Sequence, residues 1–338
     1  MKAIALTRYL PITNPESLVD VELPKPEASG RDLLVRVEAI SVNPVDTKVR
    51  SPKDKVEPAP KVLGWDAAGV VETVGADVTL FKPGDAVYYA GEIGRPGSNA
   101  QFQLVDERLV GRKPRTLDYA QAAALPLTTI TAYEAMFERL GISVDGADRG
   151  KSLLIIGAAG GVGSIALQLA RLAGLTVIGT VGRAETREWT ASLGLELSID
   201  HGQPLPEQLS ALGHAEVDYV LNLNNTDRYW DVIAEVLKPR GKVCSIVENS
   251  GPLNQAPYKT KNLTHAWEHM FVRGVFKTAD MIEIHHLLNR VADWIDQGTL
   301  KPTLTDRLAP INAAKLREAH MQLETGRTIG KLALIGWS

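Results

Sequence analysis

From Ser152 to about Val247 the chain alternates short, almost wholly apolar runs with stretches of helical periodicity, and this alternation constrains the fold more than any other feature. The runs are LLIIG, TVIGTVG, SID, VDYVLNL and KVCSIV, separated by amphipathic segments that reach Gly174, Leu193, the region of Gln208 and Leu237. Strands that are apolar on both faces need cover on both faces, and helices supply it when the strands run parallel. A doubly wound α/β domain is therefore expected. Its first strand runs into Ala158, Ala159, Gly160, Gly161, Val162 and Gly163 and then into a helix. The first amides of a helix that opens from such a turn point at whatever sits over it and favour an anion.

That turn reads as a dinucleotide cradle. Gly160 lets the backbone approach a pyrophosphate, Gly163 lets the helix pack close to the strand, and Ala158 stands where the fingerprint usually has its first glycine. The bland alternative is a tight strand-to-helix turn without a ligand. The flanking strand, helix and second strand all being present favours the dinucleotide. Selectivity is decided roughly 20 residues further on, where an acid would bind the ribose 2′-hydroxyl of NAD. This chain instead has Gly182 and Arg183 at the strand tip. A permanently charged, planar guanidinium suits a 2′-phosphate, so NADPH is the expected cofactor. The competing reading makes Arg183 a solvated helix-start residue partnered by Glu185.

The first 110 residues differ in kind. Short β-rich runs at Lys2 to Thr7, Asp32 to Val42, Ala67 to Val74, Ala86 to Tyr89 and Gln101 to Val105 are punctuated by proline and glycine, as in a small antiparallel barrel. Alanine-rich helical spacing begins after Asp118, with Pro126 interrupting it. A long helix over Ala279 to Gln297, another over Ala313 to Glu324 and a strand over Gly330 to Ile335 close the chain. This tail is expected to return to the N-terminal part, the long helix being the doubtful element. A net charge of −3 gives no basic field for a nucleic acid, and no apolar run reaches the roughly 18 residues of a membrane span. The opening Met1-Lys2-Ala3-Ile4-Ala5-Leu6 has no signal-peptide cleavage pattern, and one cysteine, Cys244, allows neither a disulfide framework nor a multi-cysteine zinc cluster. A cytoplasmic protein is expected.

The motifs SVNPVDTKVR, LGWDAAGVVETVG, KPGDAVYYAG, GAAGGVGSIALQLAR and GRTIGKLAL occur in order along nearly the whole chain. In this the sequence resembles the medium-chain dehydrogenase/reductase superfamily, and within it the quinone oxidoreductases and the group labelled zinc-type alcohol dehydrogenase-like. The resemblance implies a GroES-like β-barrel domain plus a doubly wound Rossmann domain, with the active site in a cleft between them. The corresponding boundaries are 1–126 for the first part of the catalytic domain, 127–264 for the NADPH-binding domain and 265–338 for a segment that largely completes the catalytic domain. It also implies a homodimer joined at Rossmann edge strands.

Zinc-dependent members of the superfamily place a cysteine where this chain has Asn43, a histidine-glutamate pair where it has Trp65-Asp66, and a second cysteine within the stretch Leu125 to Thr131. Those zinc ligands are missing from the sequence, so no metal is expected. The remaining match to a metal motif, His265-Ala266-Trp267-Glu268-His269, would align two histidines only on a helix, and a structural reading is preferred. Adjacent His285 and His286 would point apart on a helix.

Without a Lewis acid alcohol oxidation is the poorer expectation; the resemblance implies instead hydride transfer from NADPH to an already conjugated acceptor, a quinone or an α,β-unsaturated carbonyl. The resemblance implies polar active-site positions at Asn43 and Asp46, where substrate positioning competes with a plain turn and helix cap. It implies cofactor contacts at Lys48 and Thr131, at His201, Asn224, Ser245, Ile246 and Val247 beyond the later strands, and at Phe271 and Lys331. Lys48 replaces a tyrosine of many relatives. The rival readings are a non-catalytic NADPH-binding protein, an alcohol dehydrogenase and an enoyl-thioester reductase.

Overall fold

A computed structural model describes residues 1–338, and the chain divides into two compact units, Met1–Ile130 with Phe271–Ser338, and Thr131–Met270. The sequence boundaries of 126/127 and 264/265 thus stand beside observed ones of 130/131 and 270/271.

The second unit carries a six-stranded parallel sheet. Its spatial order is Leu197–Asp200, Thr176–Val181, Ser152–Ile156, Val217–Asn222, Leu237–Ser245 and Thr264–Trp267. Every residue of Ser152–Ile156 is buried, as a central strand covered on both faces requires. Leu154, Ile156, Ile178, Val220 and Val243 pack with Leu209, Trp230 and Ile233 of the helices Leu205–Ala211 and Thr226–Val236 into a single core. The order in which successive strands are added reverses between Ser152–Ile156 and Val217–Asn222, which is where sheets of this class bind ligands. Thr264–Trp267 was not among the expected strands. It pairs with Lys242 through Ser245, so His265 and His269 do not share a helical face.

The first unit is built on strand Asp32–Ser41, which pairs antiparallel with Ala67–Val74, Phe102–Asp106 and Lys331–Ile335. Ala86–Tyr89, Val110–Arg112 and Leu304–Leu308 extend that sheet, and Lys2–Tyr9 joins Val19–Glu22 and Lys53–Val62 in a second one. Residues 50 to 60, whose polar, irregular sequence reads as a loop, are thus largely an edge strand. The long helix Glu283–Asp296 belongs to this unit: the Tyr88 hydroxyl donates to Leu288 O at 2.6 Å, and Arg112 N to Asn289 Oδ1 at 3.0 Å. His285 Nδ1 lies 2.7 Å from Val110 O, while His286 faces outward beside Glu283. No helix is long and apolar enough to cross a membrane.

Candidate functional site

In the second unit the parallel register sets the expected contact residues in one row. Asn222 stands opposite both Ile156 and Ser245, and Val181 opposite Asp200. The glycine turn, Gly182 with Arg183, His201, Asn224 and Ser245 to Val247 therefore leave the sheet together at its carboxyl edge. Helix Gly161–Leu172 has Gly160 as its N-cap, and no side chain caps it. A Cβ at Gly160 would meet nothing nearer than Gly157 O at 3.6 Å, whereas one at Gly163 would stand 2.4 Å from Gly157 O and 2.6 Å from Ala158 O. The two glycines thus do different things. Gly163 is demanded by helix-on-strand packing, and Gly160 leaves open space in front of uncapped amides, a cradle suited to a diphosphate.

Thr180, Thr186, Asn225 and Thr226, which the sequence did not single out, hold this edge together with the expected residues. Thr180 Oγ1, at the end of its strand, accepts the Gly157 N–H at 2.9 Å and so fixes the turn. Arg183 begins helix Ala184–Ser192, its N–H donating to Thr186 Oγ1 at 3.0 Å. A Cβ at Gly182 would lie 2.2 Å from the His201 ring, so the bare glycine makes room for that imidazole rather than for open solvent. Asn225 N donates to Asn224 Oδ1, and Thr226 Oγ1 to Val247 O. His265 Nε2 lies 3.2 Å from Ser245 Oγ. Thr131 is buried. Glu268, whose N–H donates to Ser245 O, has a carboxyl held well above the usual carboxylate range by burial and by the adjoining Glu134 carboxyl. Cys244 is fully buried in its strand, and desolvation, followed by the charge of Glu268, pushes its thiol far up.

In the first unit a buried polar cluster forms where three strands end together. The register Ala333↔Ser41 and Leu334↔Ile40, continued by two residues, puts Lys331 opposite Asn43. Asp66 immediately precedes the strand on the other side, with Ser41 N donating to its carbonyl. The Lys331 ammonium donates to Val42 O at 2.7 Å, to Asn43 Oδ1 at 2.5 Å and to Asp66 Oδ2 at 3.1 Å. Asn43 Nδ2 donates to Asp66 Oδ2 at 2.8 Å and to Trp65 O at 3.4 Å, and Leu127 N donates to Asp66 Oδ1 at 2.8 Å. All of Asn43, Asp46, Asp66 and Lys331 are buried. Burial pushes Asp66 and Lys331 each toward its neutral form, and their mutual attraction opposes it.

Asp46 accepts the Asn43 N–H at 2.6 Å across the start of helix Pro44–Arg50, the turn-and-cap arrangement. Burial raises its carboxyl from 3.8 to about 7. The amide of Asn43 is engaged at both ends inside the cluster, not turned to a substrate. Lys331 likewise has all three ammonium hydrogens on protein oxygens, a different setting from the cofactor contact that the resemblance implied. Lys48 lies exposed on the same short helix. Phe271 is buried edge-on against Trp65, with ring centroids 6.1 Å apart.

A zinc ion does not fit these residues. Trp65 offers an indole N–H that only donates, Asn43 is fully engaged, and a lysine ammonium already contacts the oxygens that a metal would need.

Profiles of the alcohol dehydrogenase GroES-like domain and of zinc-binding dehydrogenases match residues 29–115 and 193–334. A zinc-type alcohol dehydrogenase-like protein of Staphylococcus epidermidis is 40% identical over 99% of both chains. The 2-methylene-furan-3-one reductase of Solanum lycopersicum is 32% identical over 99% of this chain and 79% of its own. Among solved structures, a Rhizobium etli protein provisionally labelled a zinc-dependent alcohol dehydrogenase superposes with a TM-score of 0.95 at 50% identity, covering 100% of this chain and 98% of that one. The Escherichia coli quinone oxidoreductase in complex with NADPH gives 0.82 at 25% identity, over 99% of this chain and 100% of its own.

Proposed function

The chain belongs to the medium-chain dehydrogenase/reductase superfamily, in its quinone-reductase-like branch, and from that premise we propose that it is a zinc-independent, NADPH-dependent reductase of quinones or α,β-unsaturated carbonyls. The observation that carries the reading is the Lys331 ammonium seated on Asn43 and Asp66, which leaves no donor set for a Lewis acid. An acceptor activated by its own conjugation can be reduced without one, given positioning and a hydrogen bond to the developing oxyanion. The tomato and Escherichia coli relatives, an enone reductase and a quinone oxidoreductase, act on or are named for such acceptors.

Bound NADPH supplies the hydride. The chain's part is to bind and orient. The amides of Gly161, Val162 and Gly163 face the diphosphate from the helix start, where the dipole favours negative charge. Arg183, at a strand tip without a carboxylate, pairs with the 2′-phosphate, and the His201 ring beside Gly182 borders the same position. Asn43 and Asp46 serve by fixing the entry to helix Pro44–Arg50. A homodimer through the edge strand Thr264–Trp267 is part of the proposal and is read by light scattering.

The test is loss of reduced-nicotinamide absorbance with NADPH and NADH against ortho-quinones, para-quinones and short enones, after dialysis with a chelator. Chelator-insensitive turnover that prefers NADPH is expected. Activity lost on chelation and restored by zinc refutes the metal-free reading, and tight NADPH binding without turnover on any acceptor refutes the enzyme.

A further inference from the structure

The three oxygens around Lys331 come from two separate places in the chain: the Val42 carbonyl and the Asn43 amide after one strand, and the Asp66 carboxylate before another. They lie 2.7, 2.5 and 3.1 Å from the nitrogen, and three acceptors at these distances use the three hydrogens of a charged ammonium, where a neutral amine would bring two. A fourth group, the Asp46 carboxyl, feels the charge without touching it, and Lys331 is the positive charge acting on both buried acids. The nearby Arg50 is committed elsewhere, to Leu10 O, His320 and Glu324. Two carboxyls, an amide oxygen and a carbonyl, all buried, form the surroundings of a cation site, and the side chain of Lys331 delivers the cation.

We propose that the Lys331 ammonium is a tethered cation occupying an oxygen-lined cation site at the end of the first unit's sheet, and that this site takes up a free alkylammonium ion when the side chain is cut back. Lys331 is thereby a positioning residue: it holds Asn43 and Asp66 in register and sets the start of helix Pro44–Arg50. The proposal rests on the metal-free reading of the cluster, but its test reads stability and not turnover.

Lys331→Ala removes three carbons and the nitrogen, which are the atoms of n-propylammonium. The variant, refolded from urea, melts about 10 °C below the parent, as expected when one partner of a buried ion pair is lost. Added n-propylammonium chloride recovers at least half of that loss, whereas 1-butanol, similar in size but uncharged, and tetramethylammonium, charged but without N–H, do not. Equal effects from all three additives, or none from any, overturn the proposal. If Lys331→Ala stays unfolded without an additive, refolding with n-propylammonium alone supports it. If the variant folds under no condition, Lys331→Met decides: this neutral chain of similar length must lose more stability than the parent as pH rises past neutrality, and a decline no steeper than the parent's overturns the tethered-cation role. Stoichiometric zinc in the parent protein would refute the catalytic reading and leave the rescue result to be judged separately.

Discussion

Replacing Asp46 by Asn turns the burial of this carboxyl into a measurable pH dependence. Asp46 is 1% exposed, and desolvation is the main reason its titration moves from 3.8 to about 7; the Asn43 N–H and Lys331 pull the other way, and Asp66 adds to the rise. Because the folded value lies above the unfolded one, the folded chain binds more protons between the two. Its stability therefore falls as pH climbs through that window and stays low above the folded value. At about 1.4 kcal/mol per pH unit the full penalty is about 4 kcal/mol, of which roughly 2–3 kcal/mol develops between about pH 5 and about pH 8. An asparagine carries no charge at either pH, and its amide oxygen can still accept the Asn43 N–H. Asp46→Asn should thus cost about 1 kcal/mol or less at the acid end and gain about 2–3 kcal/mol relative to the parent on moving to the alkaline end. Urea denaturation of both proteins at the two pH values, followed by far-ultraviolet circular dichroism and by tryptophan fluorescence to check that the transitions coincide, measures the difference. A stability difference that does not change with pH would show that Asp46 is not the titrating group and that the charge balance of the cluster has been misassigned.

Other expectations come from the nucleotide-binding edge and from the single thiol. Arg183→Ala should weaken NADPH binding by about 10- to 100-fold and leave NADH binding nearly unchanged, measured by fluorescence titration of each nucleotide; equal losses for both refute the 2′-phosphate role. Gly160→Ala should keep the parent's melting temperature and bind NADPH more weakly, because its Cβ meets no protein atom nearer than 3.6 Å. Gly163→Ala should lose about 1–3 kcal/mol in urea unfolding, because its Cβ would lie 2.4 Å from Gly157 O; if the two variants behave alike, the glycines do not divide the work as stated. Cys244 should resist a thiol reagent in the native protein and react fully in denaturant, burial having raised its thiol far above neutrality.

Much of the nucleotide-binding unit is legible in the sequence because its signals are local. The run LLII, residues 153–156, is apolar without a break because both faces of a central parallel strand are covered, and the glycine turn that follows is set by contacts within one strand–turn–helix segment. The edge strands are less legible. Lys53–Val62 carries charges and two prolines, which an outer strand tolerates because it pairs on one side only, so its sequence reads as a loop. His265-Ala266-Trp267 is too short for periodicity to separate strand from helix, and only pairing with Val243, Cys244 and Ser245 settles it.

By itself, then, the sequence determined the α/β class, the order of the domains, the glycine turn between strand and helix and the charge at the strand tip, all of which follow from side-chain chemistry and spacing within a few tens of residues. The tertiary structure alone decided which partners Asn43, Asp66 and Lys331 meet. Lys331 and Asn43 are 288 positions apart, and no local pattern pairs them. Their meeting follows from the antiparallel register between the last strand and the central one, and only there does a lysine that reads as a late cofactor contact become the cation of a buried cluster.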